Sequence, residues 1–162
     1  MSLDLTIKTN KLIRHVSTGV YIREDGCIKE LKTIDDVKKH FPNKDISHIC
    51  EQVYYDDELW TKNITHNLSE MAEHVIINDQ INLCDLLWEP KDNGFDIVTQ
   101  VYINYISNAL GILKSKKKEL ENFNPKNKWG NYDLLLDFVN EYMDVLNTLD
   151  LKNEIYFIES SV

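Results

Sequence analysis

The chain has 162 residues, with 27 acidic and 18 basic side chains and a formal net charge of −9. Hydrophobic residues make up 43% of it and charged residues 28%, a composition that is typical of folded globular proteins and excludes a disordered or collagen-like chain. The acid excess argues against general nucleic-acid binding, because such proteins gain affinity by neutralising phosphates with lysine and arginine. No apolar run approaches the roughly 20 residues that span a bilayer, so we expect no membrane partner.

The N-terminus and the cysteines indicate the compartment. The first residues lack the basic segment and long apolar run of a secretory signal. Cys27, Cys50 and Cys84 are odd in number and far apart, and no CxxC pair offers a structural zinc site. Together these features predict a cytoplasmic protein with reduced thiols.

The first 50 residues predict a compact β-rich arm. Residues 11–32 carry β-branched and aromatic side chains on either side of a turn signal at 24–26, which is typical of a β-hairpin. A short helix is predicted from Ile34 to Phe41, because a proline follows directly. We therefore expect residues 1–50 to form a hairpin and short-helix arm, packed on a main domain of residues 51–162.

Within the main domain, the periodicity of apolar residues predicts an alternation of strands and helices. Residues 46–60 are ambiguous, because Ile46, Ile49 and Val53 fit helical spacing, whereas the aromatic and β-branched residues favour a strand from Gln52 to about Trp60. Apolar residues spaced as in a buried helix face follow Thr65. Ile97–Leu120 and Tyr132–Leu149 predict two long helices, the second with two apolar stripes, and Glu154–Glu159 predicts a closing strand. The predicted fold class is α+β, with about three main helices packed on a small antiparallel or mixed sheet that includes the C-terminal strand.

The usual sequence signatures of catalysis and cofactor binding are missing. The sequence has no P-loop, no G-x-G-x-x-G and no G-x-S-x-G. His66 and Glu70 lie four residues apart but lack the H-E-x-x-H pattern of a metal site. The sequence therefore favours a protein without cofactor or metal that is not an enzyme. The alternative is a small enzyme that uses His66 as its general acid or base.

Lysines concentrate between residues 114 and 128, on an otherwise acidic protein. This basic segment leads to Trp129 and Gly130, just before a predicted helix start, and an aromatic side chain there can stack on a base. The pattern predicts a small anionic ligand, since helix starts offer unpaired N–H groups to anions. In the alternative interpretation the lysines only complete a helix end, where the helix dipole favours cations.

Three blocks of residues resemble a known family. They are Asn63-Ile64-Thr65-His66-Asn67-Leu68-x-x-Met71-Ala72, Leu87-Trp88-x-Pro90, and Asn124-Pro125 with Trp129-Gly130-x-Tyr132. Together they are similar to a family of small uncharacterised proteins of bacteria, their phages and mobile elements, over roughly residues 53–160. Members of that family are shorter and lack a counterpart of residues 1–50. They usually have arginine where this chain has Glu89, and often glycine where it has Lys128.

The resemblance implies an accessory protein of phage or mobile-element type, and it carries no known activity. The resemblance itself selects residues on three separate loops as a candidate site. Together with the basic segment, these residues predict binding of a small anionic ligand, and the analogy with phage proteins adds a host protein as the other possible partner. The ligand-binding candidates are Asn63, Thr65, His66, Asn67, Trp88, Lys128, Trp129, Gly130 and Tyr132. The same residue types also serve as helix caps, turns and core anchors. A further alternative is therefore a structural or oligomerisation module without a site, such as a homodimer formed through the second apolar stripe of Tyr132–Leu149.

Overall fold

The computed structural model describes residues 2–24, 26–123 and 130–161. In chain order the elements are β1 (Ser2–Ser17), β2 (Val20–Glu24), β3 (Cys27–Leu31), α1 (Ile34–His40), β4 (Gln52–Thr65), a 3₁₀ turn (His66–Leu68), α2 (Ser69–Glu73), α3 (Leu83–Leu87), a 3₁₀ turn (Lys91–Asn93), α4 (Gln100–Ser115), α5 (Lys117–Glu121), α6 (Tyr132–Asn147) and β5 (Tyr156–Ser161). The fold is α+β, as the sequence predicts. The helices pack on an antiparallel sheet in the order β4-β1-β5, which includes the C-terminal strand, and β2 and β3 form a separate hairpin.

The first strand divides the sheet into an apolar and a polar face. Successive side chains of a strand point to opposite faces, and Leu3, Leu5 and Ile7 are all fully buried on one of them. Their partners in the sheet include Ile64 on β4 and Ile158 on β5, which are also fully buried. This inner face is therefore the floor of the hydrophobic core, and the intervening Asp4, Thr6 and Lys8 lie on the outer face.

The two long helices cover the inner face. Thr99 caps α4 and Asn131 caps α6, each by accepting a hydrogen bond from a backbone N–H of the first helical turn. Where the helices meet, the hydroxyls of Tyr102 and Tyr142 lie 2.8 Å apart, and Tyr102 also donates to the Leu86 carbonyl at 2.8 Å. Burial raises the pKa of both tyrosines above its usual value. Within the described ranges, no helix is both long and apolar enough to cross a membrane.

The hairpin, the short helix and the last long helix lie close to their predicted positions. The strands 20–24 and 27–31, α1 and α6 all match the sequence expectation within a few residues. The strand predicted over 52–60 is real, but it continues to Thr65. The helix that was expected to follow is consequently short, a 3₁₀ turn and α2 that end at Glu73.

Two boundaries differ more from the sequence expectation. The predicted helix 97–120 is divided at Lys116, whose backbone leaves the helical conformation between α4 and α5. The β structure expected from residue 11 already begins at Ser2. The alternation of Leu3, Leu5 and Ile7 with polar residues is the signal for this early strand, and it makes β1 the middle strand of the sheet.

The β2–β3 hairpin is fastened to the sheet at both of its ends. At its base, Ser17 hydrogen-bonds Glu30. At its tip, the Ile28 N–H donates to Oδ1 of Asn63 on β4 at 3.4 Å. The hairpin therefore runs along the outer face of the sheet.

Because β1 contributes to the main core, residues 1–50 belong partly to that core, and the boundary at residue 50 stays a prediction.

Candidate functional site

A groove of about 1260 Å³ runs along the edge of β4. This strand pairs with β1 on one side, and among the described residues no strand pairs with it on the other, which we call the free edge. All seven residues from 58 to 64 line the groove. Because neighbouring residues of a strand point to opposite faces, a run of consecutive lining residues means that the groove faces the edge of the strand itself.

Helix α6 forms the inner wall of the groove and is fixed to β4 by Glu141. This carboxylate accepts hydrogen bonds from Nε1 of Trp60 at 3.0 Å and from Nζ of Lys62 at 3.1 Å. The Trp60 ring stacks on Tyr142 with 5.2 Å between ring centres, and Phe138 lies beside it. The inner wall is thus an aromatic and acidic surface held in place by the core.

The hairpin forms the outer wall, and Asn63 sets its position. Nδ2 of Asn63 donates to Oδ1 of Asp4 at 2.8 Å and to the Ser2 hydroxyl at 2.9 Å, while its Oδ1 accepts the Ile28 N–H. Asn63, a ligand-binding candidate from the sequence, therefore ties the hairpin tip to the sheet. Tyr21 and Glu30 of the hairpin also line the groove.

The outer face of the sheet continues the groove with paired polar side chains. The hydroxyls of Thr6 and Thr61 are hydrogen-bonded at 2.9 Å. Lys8 forms an ion pair with Glu159 at 3.0 Å, and this hydrogen bond raises the pKa of Lys8. These side chains form their hydrogen bonds and ion pair with one another, so the polar floor of the groove is held by contacts within the chain.

An aromatic and charged cluster closes the far end of the groove. His15 stacks on Tyr54 with 5.2 Å between ring centres, and its Nε2 lies 2.6 Å from Oδ1 of Asp56. Burial raises the pKa of the Tyr54 hydroxyl, and the charges of Glu30, Asp56 and Glu58 raise it further. Negative charge is therefore concentrated around this end of the groove.

Carboxylates outnumber lysines along the described part of the groove. The acidic lining residues are Asp4, Glu24, Glu30, Asp36, Glu58, Asp137, Glu141 and Glu159, and the lysines are Lys8, Lys29, Lys32, Lys62 and Lys91. Two of these lysines, Lys8 and Lys62, are already paired with Glu159 and Glu141. The remaining charge balance favours a cationic ligand over an anionic one.

Five residues of the site predicted from the sequence do come together, away from the groove. Thr65 is buried and caps the 3₁₀ turn, accepting the Asn67 N–H at 3.4 Å. Gly130 packs so closely on this turn, with φ of +103°, that a Cβ would lie 3.0 Å from Cγ2 of Thr65. His66 is exposed, and its ring makes a T-shaped contact with the Trp88 ring, with 6.5 Å between ring centres.

The other candidates from the sequence lie elsewhere. Tyr132 is buried in the core and donates to the Leu113 carbonyl at 2.7 Å. Trp129 and Lys128 fall outside the described residues. Of the five that come together, Trp88 is only 6% exposed, and its Nε1 has no hydrogen-bond partner within the described part of the chain. These five residues form a packing contact that includes the exposed His66.

The described lysines of the basic segment extend from the end of α4 into α5. Nζ of Lys116 donates to the His74 carbonyl at 3.4 Å, and Lys117 lies 3.6 Å from Glu121. The pocket of about 450 Å³ beside His74 is lined by three carboxylates, from Glu73, Asp85 and Glu89. These carboxylates would repel an anion, so the pocket does not add to the case for an anionic ligand.

The same small pocket contains Cys84 but offers neither a nucleophile nor a metal site. Burial raises the pKa of the Cys84 thiol to about 12, so it stays protonated at neutral pH and is a poor nucleophile. In residues 2–24, 26–123 and 130–161, no three His, Cys, Asp or Glu side chains are grouped so that they could hold a metal ion.

No pattern in the sequence indicates the groove. Trp60 and Lys62 carry no motif, and Asp137 and Glu141 are ordinary exposed positions of an amphipathic helix. Comparison of the chain with family models, curated proteins and solved structures found no match. The geometry and charge of the groove are therefore the features that point to a function.

Proposed function

We propose that this is a binding protein whose groove along β4 holds an extended, positively charged segment of a partner protein. The observation that carries the proposal is a long, acidic groove that follows the free edge of a strand. Length and charge support it separately: length favours a polypeptide over a small molecule, and charge favours a basic ligand over an acidic one.

The size of the groove favours a polypeptide. Small-molecule sites usually enclose about 300–1,000 Å³, and this groove encloses about 1260 Å³. Its lining on β4 includes Tyr54 and every residue from 58 to 64, a span of about 33 Å at roughly 3.3 Å per residue. An extended segment of about ten residues matches that length.

The charge of the groove favours a basic partner segment. Glu30 and Glu58 lie towards the hairpin side, and Asp137 and Glu141 belong to α6, so carboxylates flank both walls. Opposite charge on a partner increases the association rate and disfavours acidic competitors. The resemblance to proteins of phages and mobile elements supports a host protein as that partner, in an accessory role.

Selection from a displayed library of random decapeptides tests the proposal. We expect selected peptides to be extended and rich in lysine or arginine. Affinity for a selected decapeptide should fall at least tenfold in Asp137→Lys, because this substitution places a cation in the inner wall. Asp144→Lys is the matched control, an exposed aspartate of the same helix that does not line the groove.

Two results would count against the proposal. One is a library selection that yields no binder, or only acidic binders. The other is a selected decapeptide whose affinity falls equally in Asp137→Lys and Asp144→Lys, since net charge alone would then explain the loss.

One observation favours a second candidate, the small anionic ligand predicted from the sequence. The buried Nε1 of Trp88 has no partner in the described ranges, and the exposed His66 lies against the same ring. An indole N–H can donate a hydrogen bond to an anion. Thermal-shift measurements with inorganic phosphate and a panel of nucleotides test it: the shift should disappear in His66→Gln, and a panel without any shift would oppose it.

The two other functions considered for the sequence, an enzyme and an oligomerisation module, stay predictions. His66 has the ring of Trp88 as its neighbour, which does not orient a general base. The second stripe of α6 packs partly inside the chain, where Phe138 is 2% exposed beside Trp60. A homodimer through this stripe would therefore have little of Phe138 left to bury.

A further inference from the structure

We infer that the bound segment adds to the sheet as a fourth strand, pairing its main chain with the free edge of β4. This inference rests on the proposed function and specifies its binding mode. The occupant is an extended segment of another protein, with cationic side chains at alternate positions.

The two outer strands of the sheet differ in how their edges are covered. On β5, the segment 96–98 already acts as a short neighbour: the Val98 N–H donates to the Tyr156 carbonyl at 2.9 Å, and the Ile158 N–H donates to the Asp96 carbonyl at 2.9 Å. On β4, residues 58–64 make no main-chain hydrogen bond to any described segment other than β1. The open edge is therefore the one that lies in the groove.

Two walls flank the free edge of β4 in the groove. Helix α6 lies on its inner side and the hairpin on its outer side, so an added strand would lie between them. The pairing of β1 with β4 shifts register between Ile7 and Lys8, opposite Glu58 and Trp60. Such a bulge interrupts a long edge, which limits uncontrolled pairing and leaves residues 60–64 as a short regular edge.

The two walls of the groove predict which side chains alternate along the added strand. Its side chains would point alternately towards α6 and towards the hairpin, since strand side chains alternate. The α6 side presents the carboxylate of Asp137, and the hairpin side presents Glu30 and the exposed ring of Tyr21. Both sides therefore offer a carboxylate to a lysine or arginine side chain, and on the hairpin side the Tyr21 ring can also contact its apolar stem.

Backbone N-methylation of a selected decapeptide separates strand addition from binding through side chains alone. A strand pairs through the N–H groups of every second residue, so methylation at alternate positions should lower affinity about tenfold or more, and methylation in between should change it little. Uniform losses at all positions, or no loss at any, would overturn strand addition while peptide binding itself stands. A library that yields no binder overturns both proposals.

Amide hydrogen exchange gives a second, independent result. With the decapeptide bound, amides of residues 60–64 that point to the free edge should exchange at least tenfold more slowly. The amides of β1 that already pair with β5 are the internal control, because their hydrogen bonds do not change. Unchanged exchange across 60–64 in a complex that does bind would contradict main-chain pairing.

Discussion

Leu5 and Thr6 are neighbours on β1, yet they face different surroundings. Leu5 is fully buried in the core beneath the helices, whereas Thr6 lies on the outer face, with its hydroxyl hydrogen-bonded to Thr61 on the floor of the groove. The same alternation continues along the strand, so one face stabilises the fold and the other lines the binding groove. Substitutions one residue apart should therefore separate stability from binding.

The largest effect is expected on the inner face. Leu5→Ala should lower the free energy of unfolding by about 2–5 kcal/mol, because it removes a fully buried side chain and leaves a cavity. Thr6→Val, the matched change on the outer face, loses one hydrogen bond, worth about 1 kcal/mol. Urea unfolding of both variants measures the difference. Equal losses in the free energy of unfolding would contradict the claim that the inner face stabilises the fold and the outer face does not.

The contact of Gly130 with the 3₁₀ turn extends the comparison to the candidate residues from the sequence. In Gly130→Ala, the new Cβ would lie 2.9 Å from Cδ2 of Leu68 in a backbone with φ of +103°. We expect a loss of about 1–3 kcal/mol of stability. Gly94→Ala is the control, since Gly94 has a φ of +86° but no atom within 4 Å of its Cβ position. Thermal unfolding should show a smaller loss of stability in Gly94→Ala than in Gly130→Ala. A similar loss in both variants would mean that backbone strain alone, without the contact with Leu68, explains the loss.

The buried tyrosine pair should make the core sensitive to alkaline pH. Burial raises the pKa of Tyr142 and Tyr102 above 10.0, so the unfolded chain releases these protons first as pH rises. Stability is therefore full below pH 10 and falls above it, by up to about 1.4 kcal/mol per pH unit for each tyrosine.

Two phenylalanine variants test this assignment. Tyr142→Phe should cost about 1 kcal/mol at pH 7, from the lost hydrogen bond to Tyr102, and should make the alkaline decline shallower. The exposed Tyr55 provides the control variant, Tyr55→Phe, which should change neither the stability at pH 7 nor the slope of the alkaline decline. Urea unfolding between pH 7 and 11 gives both quantities, and an unchanged slope in Tyr142→Phe would contradict the assignment.

The smallest effect is expected from the ion pair on the outer face. Lys8→Met removes the contact with Glu159, and both side chains are partly exposed, so stability should change by less than about 1 kcal/mol. The variant also removes a cation from an acidic groove, which should increase its affinity for a basic decapeptide. Urea unfolding and peptide titration check the two parts, and a loss as large as that of Leu5→Ala would show that the outer face also supports the fold.

The sequence predicts the fold better than the site because the two depend on different information. Helix periodicity and turn signals are local, and they place the β2–β3 hairpin, α1 and α6. Strand order is not local: nothing near Trp60 or Lys62 in the sequence indicates that β4 lies at the edge of the sheet. The groove exists only because β1, from the start of the chain, separates β4 from β5.

The candidate residues from the sequence also show that a local pattern does not reveal contacts between distant segments of the chain. Thr65 and Gly130 are polar or small because they cap and pack a tight turn, which a local motif does reveal. Their mutual contact joins two distant segments of the chain. Trp129 and Lys128 fall outside the described residues, so their part in a site stays a prediction.

The central claim is that the acidic groove along β4 binds a basic, extended segment. An amide chemical-shift map of the ¹⁵N-labelled protein with a selected decapeptide tests it most directly. The account predicts shifts concentrated at residues 58–64, at the facing positions of α6 around Asp137, and on the hairpin around Glu30. Shifts concentrated around His66 and Trp88 instead, with the free edge of β4 unaffected, would contradict it.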